Sequence, residues 1–155
     1  MKVLELPLNR YCPIAHSLEV LGLKWNLLIL REASFGRTRY AEFLKIGVPT
    51  DVLIMRLASL VEAGLLERRP YREPGKRTRD EYILTDAGRD ALPILAAFTS
   101  WGNVHAPTSR EPAVLFVDEA TGQPVTLAFT DADGTAVNPE HVRMIYGPGA
   151  VQPED

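Results

Sequence analysis

Six basic side chains stand within twelve positions, Arg68, Arg69, Arg72, Lys76, Arg77 and Arg79, with Glu73 the only acid among them. Fixed positive charge at that density suits a polyanion, and duplex DNA presents phosphates at every site whatever its base sequence. The cluster is local, because the whole chain has 17 Lys+Arg against 20 Asp+Glu and a net charge of −3. A solvated charged turn is the plainer explanation, and only the place of the cluster in the fold decides between the two. A second residue with chemistry to offer is Cys12, the single cysteine, with Arg10 before it and His16 one turn on. At the start of a helix, the dipole and positive neighbours favour the thiolate, the form that oxidants attack. With one cysteine per chain, the outputs of a redox sensor are an intersubunit disulfide or a mixed disulfide with a small thiol. The alternative is a small cysteine in a dimer seam. Catalysis finds no support: His16, His105 and His141 have no paired ligand spacing, no glycine loop cradles phosphate, and Cys12 with His16 lacks a third group or an oxyanion site. No enzyme activity, cofactor or metal is expected.

The elements that position these residues are mostly helical. "CPIAHSLEVLG" has Pro13 at a first helical position and stops at Gly22. "KWNLLILREASFG" places Trp25, Leu28, Ile29 and Ala33 on one stripe and stops at Gly36, and "TRYAEFLKIG" is a short third helix ending at Gly47. "VPTDVLIMRLASLVEAG" is a fourth, with Thr50 as N-cap, Asp51 at the positive end of the dipole and Gly64 as terminator. Its Leu53, Leu57, Leu60 and Val61 form a stripe for burial, with Asp51, Met55, Ser59 and Glu62 opposite. The period then changes. "LLERRPYRE" and "RDEYILT" read as strands around the turn "PGKRT", so the basic cluster lies on a hairpin. Thr85 caps a last helix, "DAGRDALPILAAFTSWG", expected to kink near Pro93.

Helices followed by a basic hairpin is the layout of a winged helix-turn-helix, in which the fourth helix enters the major groove and the hairpin reaches the neighbouring backbone. That placement turns the charged hairpin from a solvated turn into a DNA contact. Charge also divides the chain: residues 1–105 carry a net +3 and residues 106–155 a net −6. "HAPTSREPA" between them reads as a linker. The expected organisation is mainly α with small β: a winged helix-turn-helix DNA-binding and dimerisation domain over 1–105, a linker at 106–112, and a small β-rich C-terminal extension over 113–150. In the extension, "AVLFVD" and "PVTLAF" alternate apolar and polar residues, with turns at Thr121-Gly122 and Asp133-Gly134. No apolar run approaches the roughly 20 residues of a membrane span, and "MKVLELPLNRYCP" does not read as a secretory leader, so a cytoplasmic protein is expected.

The string "CP…LGLKWNLLILRE…GRTRYAEFLKIG…VLIMRLASLVEAGLLERRPY…EYILTDAGRDALPILAAFTSWG" resembles the HxlR-type transcriptional regulators, winged-helix proteins related in fold to the MarR group. The similarity runs from about Tyr11 to His105. It implies a homodimer built from the first and last helices, bound to double-stranded DNA at an operator with repeated half-sites, as a repressor answering an oxidant or a small-molecule effector. Several relatives sense oxidants at this "CP" position, which makes Cys12 the candidate sensor. Relatives often carry polar residues before the "RL" of the fourth helix, where this chain has Ile54 and Met55. Base reading is therefore assigned to Thr50, Asp51, Met55 and Ser59, with Arg56 left for a phosphate. Lys76, Arg77 and Arg79 are the wing contacts, Arg68, Arg69 and Arg72 brace the strands, and Arg37 and Arg39 are secondary backbone contacts. The rival reading is a winged-helix protein-interaction module with little sequence-specific DNA binding, favoured by the apolar Ile54 and Met55. The extension is similar to one that in some relatives looks like a zinc ribbon, but Thr121, Thr130 and Asp133 stand where cysteines would, so no metal is implied.

Overall fold

Helix α1 (Pro13–Leu21) starts where the sequence places it, with Cys12 as an extended N-cap and Pro13 at the first helical position, where a missing N–H is harmless. The computed structural model that shows this describes residues 2–151. Helix α2 (Lys24–Ser34) buries Ile29, Leu30 and Ala33 in the core, with Trp25 half-buried against it; Leu28 is half-buried. The third helix is shorter than its sequence suggests: α3 (Tyr40–Phe43) tightens into a 3-10 turn at Leu44–Ile46. Gly47 follows with φ 82°, a left-handed conformation that a side chain would strain, and this reverses the chain into α4 (Thr50–Glu62). The N-cap of α4 is Pro49, not Thr50. Thr50 is already helical and its side chain makes no capping bond, because the Pro49 carbonyl takes the Leu53 N–H at 2.8 Å and closes the first turn one residue earlier.

Leu53, Leu57 and Leu60 recur at the helical period on one face of α4 and pack with Phe43, Ile29, Leu30 and Leu66, all at most 1% exposed. Burying one such side chain contributes about 1.5–3 kcal/mol. The hairpin pairs β1 (Leu66–Tyr71) antiparallel with β2 (Arg79–Leu84), in a register running from Leu66↔Leu84 to Tyr71↔Arg79. A third rung joins from the turn before α3: Arg39 bridges Glu81, and the Tyr82 N–H donates to the Thr38 carbonyl at 2.7 Å. The hairpin is closed at its base by "TDAG". Thr85 Oγ1 accepts the Gly88 N–H at 3.1 Å and donates to the Gly64 carbonyl, and the Thr85 N–H reaches the Leu65 carbonyl at 3.1 Å. Gly88 is buried so close to the Leu65 carbonyl that a Cβ there would collide with it.

The expected kinked last helix is two helices, α5 (Asp86–Arg89) and α6 (Leu92–His105). Pro93 is the second residue of α6, among the first N–H positions that have no partner inside a helix, so it begins a helix instead of bending one.

The chain divides into two compact units, one running up to Ala91 and including the stretch from Gly147, the other Leu92–Tyr146. The division falls ahead of the 106–112 linker expected from composition and groups α6 with the extension. In that second unit the strands are slight. β3 (Phe129–Thr130) pairs with β4 (Ala136–Val137), and "AVLFVD" meets "PVTLAF" at a single bridge, Val117↔Pro124. Gly122 and Gly134 sit in the turns the sequence marks. No described residue after His105 is buried. Among the described residues, no helix is long and apolar enough to cross a membrane, and no three His, Cys, Asp or Glu side chains gather as metal ligands.

Candidate nucleic-acid interface

The exposed side of α4 carries Asp51, Ile54, Met55, Ala58 and Glu62, the complement of its buried leucines at three- and four-residue spacing. Ile54 and Met55 are 57% and 52% exposed, so they are surface residues and not the edge of the core. Ala58, one turn on from both, belongs to this face and was legible from the same spacing, yet the residue-type reading passed over it because alanine bears no reactive group. Thr50 and Asp51 are exposed at the helix start, and the Tyr40 hydroxyl donates to the Thr50 carbonyl at 3.4 Å. Arg56 and Ser59 are half-buried on the flank, and the Ser59 hydroxyl donates to the Arg56 carbonyl at 3.0 Å. The centre of the face is apolar and suits thymine methyl groups; the carboxylates at its ends can accept from cytosine amino groups. The exposed face itself carries no cation; the one basic residue of α4 is Arg56 on its flank.

The basic side chains of the hairpin differ in how far they are held. Arg69 gives Glu67 two parallel bonds at 3.0 and 3.1 Å, which hold the Glu67 carboxyl below its ordinary range, and Arg68 lies 3.8 Å from Asp80. Arg72 Nε donates to the Lys76 carbonyl at 3.0 Å across the turn. Of these three, only Arg68 reaches from one strand to the other; Arg69 and Glu67 share β1, and Arg72 spans the turn. Arg77 and Arg79 are exposed and have no acidic partner among the described residues.

A groove of about 620 Å³ runs between the start of α3 and the hairpin, and Arg39, Lys76, Arg77 and Arg79 all line it. Of the sequence-derived candidates these four are brought together; no α4 residue and neither Arg37 nor Cys12 lines the groove. Arg39 lies over the Tyr71 ring at 4.3 Å and bonds Glu73 at 2.7 Å. Lys76 reaches the same carboxylate at 3.0 Å. That carboxylate is held below the ordinary range first by its hydrogen bond from Lys76. Glu42 fixes the backbone here: it accepts the N–H of Arg39 at 2.9 Å and of Thr38 at 3.0 Å, and these bonds lower its pKa. Arg37 is anchored elsewhere, 3.1 Å from Glu32, a buried carboxylate that also holds Arg31 at 2.8 Å. The partnerships of Glu32 and Glu73 were invisible in sequence except as isolated acids among arginines.

A family model described as an HxlR-like helix-turn-helix matches residues 20–110, which span α2 through α6 and include the hairpin. The chain belongs to this HxlR-like helix-turn-helix family. Among curated relatives, the uncharacterized HTH-type transcriptional regulator Rv3095 of Mycobacterium tuberculosis is 37% identical over 111 residues, 71% of this chain and 69% of that protein. A regulator of Methanothermobacter thermautotrophicus is 33% identical over 107 residues, 66% of this chain and 80% of its own. Among solved structures, PA1607, described as a candidate transcription factor, superposes with a TM-score of 0.74 at 36% identity over 88% of this chain and 96% of its own. The redox regulator HypR in its reduced form gives 0.54 at 28% identity over 61% and 95%.

Family and geometry agree that this HxlR-like protein is a winged-helix, DNA-binding transcription regulator and not an enzyme. The remaining candidate, Cys12, is half-buried at the N-cap of α1 and makes no capping bond. The His16 ring, which sequence places one turn away as a neighbour, is instead engaged by the Arg10 carbonyl, 2.7 Å from Nε2.

Proposed function

We propose that this HxlR-like regulator is a homodimeric repressor that sets the outer face of α4 into the major groove of each half-site of a repeated operator. Arg77 and Arg79 of the hairpin hold the flanking backbone. The observation that carries the reading is the contrast between these two exposed arginines, which have no acidic partner among the described residues, and Arg68, Arg69 and Arg72 beside them, each held by a neighbour. Met55, Ile54 and Asp51 are the base-reading residues of the face, with Thr50 and Ser59 at its margins and Arg56 directed to a phosphate. Arg37 and Arg39 lie on the backbone side.

Dimerisation is supported by apolar surface with nothing over it. Tyr11, Ile14 and Leu18 around α1 are 55–63% exposed, and Phe98, Trp101 and Val104 of α6 are 61–70% exposed. A single winged helix reads one half-site, so a two-fold pair is the economical solution. For the signal there are two seats. Cys12 is one, in line with HypR being a redox regulator. The other is an apolar groove of about 330 Å³ between α6 and the extension, lined by Ala96, Val114, Phe116, Val125 and Leu127 among others and by no ionisable side chain, which suits a small neutral effector. Action on chromosomal DNA supports a cytoplasmic location.

The test is a mobility-shift titration across salt with operator and random duplex. Replacing Arg77 and Arg79 by Gln should weaken both complexes by similar factors and flatten the slope of log affinity against log salt by about 0.9 per phosphate lost per subunit, doubled in a dimer. Wild-type slope and affinity in that variant would remove the hairpin from the interface.

A further inference from the structure

Two cations of the groove are already occupied by an anion that the chain itself supplies. The Glu73 carboxylate takes Arg39 Nη1 at 2.7 Å on one oxygen and Lys76 Nζ at 3.0 Å on the other. Arg39 comes from the turn before α3 and Lys76 from the hairpin tip, so the carboxylate joins two elements that are 34 residues apart in sequence at its Arg39 bond. The Arg39 guanidinium also lies over the Tyr71 ring, 4.3 Å from its centroid. Arg77 and Arg79, without acidic partners among the described residues, line the same groove. A carboxylate bridging a planar guanidinium and an ammonium occupies the donors from which a phosphodiester oxygen pair would accept.

We propose that this groove is a seat for a DNA backbone phosphate and that Glu73 occupies it as an internal stand-in, lowering the protein's affinity for DNA irrespective of sequence. The inference rests on the DNA-binding hairpin proposed above. The physical logic is competition. A phosphate reaching Arg39 and Lys76 must displace a carboxylate that already neutralises them, so in the wild type these two cations release few counterions on binding. The Glu73 carboxyl is held below its ordinary range by Lys76 and Arg39, so it stays charged and competes throughout the neutral region. Because phosphates look alike at every base pair, the stand-in acts on specific and non-specific complexes equally. It sets how tightly the regulator scans DNA without touching which operator it prefers.

Glu73→Gln is the decisive variant, measured as the full-length protein by fluorescence anisotropy with an operator duplex and a random duplex over a salt series. The expected result is tighter binding to both duplexes by the same factor, with the log–log salt slope steeper by about 0.9 for each phosphate gained per subunit. Adding Arg39→Gln and Lys76→Gln to Glu73→Gln should return the slope to the wild-type value. Weaker binding in Glu73→Gln with a flatter slope would overturn the proposal and make Glu73 a positioning residue that aims Arg39 and Lys76. Unchanged affinity and slope would overturn it too, since the two cations then do not reach DNA. The Arg77/Arg79 variant separates this from failure of the hairpin reading: if that variant loses affinity while Glu73→Gln is neutral, the hairpin contact stands and only the stand-in falls. Circular dichroism melts of Glu73→Gln matching the wild type keep any change assigned to binding.

Discussion

The winged-helix unit and the C-terminal extension carry apolar residues in comparably regular patterns, and only one of them buries them. In the first, Leu53, Leu57 and Leu60 are at most 1% exposed; in the second, Leu115 is 69% and Phe129 56% exposed. Periodicity states which side chains share a face. Burial needs a second layer to cover that face, and in the first unit α2, α4 and the hairpin cover one another. The extension has two strands of two residues each and one bridge, too little sheet to close a core alone. Among the described residues the buried core therefore lies in the first unit.

That contrast can be broken most sharply with two matched truncations. Phe43→Ala, in the fully buried core, should destabilise the protein by about 3–5 kcal/mol, whereas Phe129→Ala should change stability by no more than about 0.5 kcal/mol in the same urea titration. Equal losses would show that the extension shares the core. Gly88→Ala comes next. Its methyl must displace the Leu65 carbonyl at the foot of the hairpin, for an expected loss of about 1–3 kcal/mol, while Gly102→Ala in α6, with open space around it, should be neutral or slightly stabilising. Thr85→Ala removes the α5 cap and should lower stability by about 1 kcal/mol in thermal melts.

The smallest effect is electrostatic. Glu42 has a folded pKa below its ordinary value of 4.5, first because of the Arg39 N–H bond and then that of Thr38. A lowered folded pKa means stability that is present above about pH 4.5 and lost as pH falls through the lower folded value. Glu42→Gln should therefore cost stability at neutral pH and show a shallower decline on acidification than the wild type. Parallel curves would mean that the two N–H bonds do not distinguish carboxylate from carboxylic acid.

Much of the first unit was legible because its signals are local. Pro13, Gly22, Gly47 and Gly64 punctuate helices, the leucine spacing of α4 names its buried face, and the Pro74-Gly75 turn marks the hairpin. What was not legible depends on distant partners. Whether Arg69 is free or Arg77 is free turns on where Glu67, Asp80 and Glu73 fall in three dimensions, and a run of arginines looks the same in either case. The break at Pro93 was misjudged as a kink because one proline fits both a bent helix and the second residue of a new one. In "AVLFVD" the alternation was real, and the layer that would have made strands of it was absent.

The rung between Thr38 and Tyr82 also has a consequence for the thermodynamics of association. By closing the Tyr82 amide on the Thr38 carbonyl at 2.7 Å, the fold ties the stem of the hairpin to the turn before α3 before any DNA arrives. Ordering a segment on binding costs on the order of 1–2 kcal/mol of backbone entropy per residue fixed. In the proposed complex that loss falls mainly on the tip around Gly75, because the stem is already hydrogen-bonded to the turn before α3. Amide hydrogen exchange should mirror the division, with Tyr82 among the slow hairpin amides in free protein and in complex, and the slowing caused by DNA concentrated at the tip.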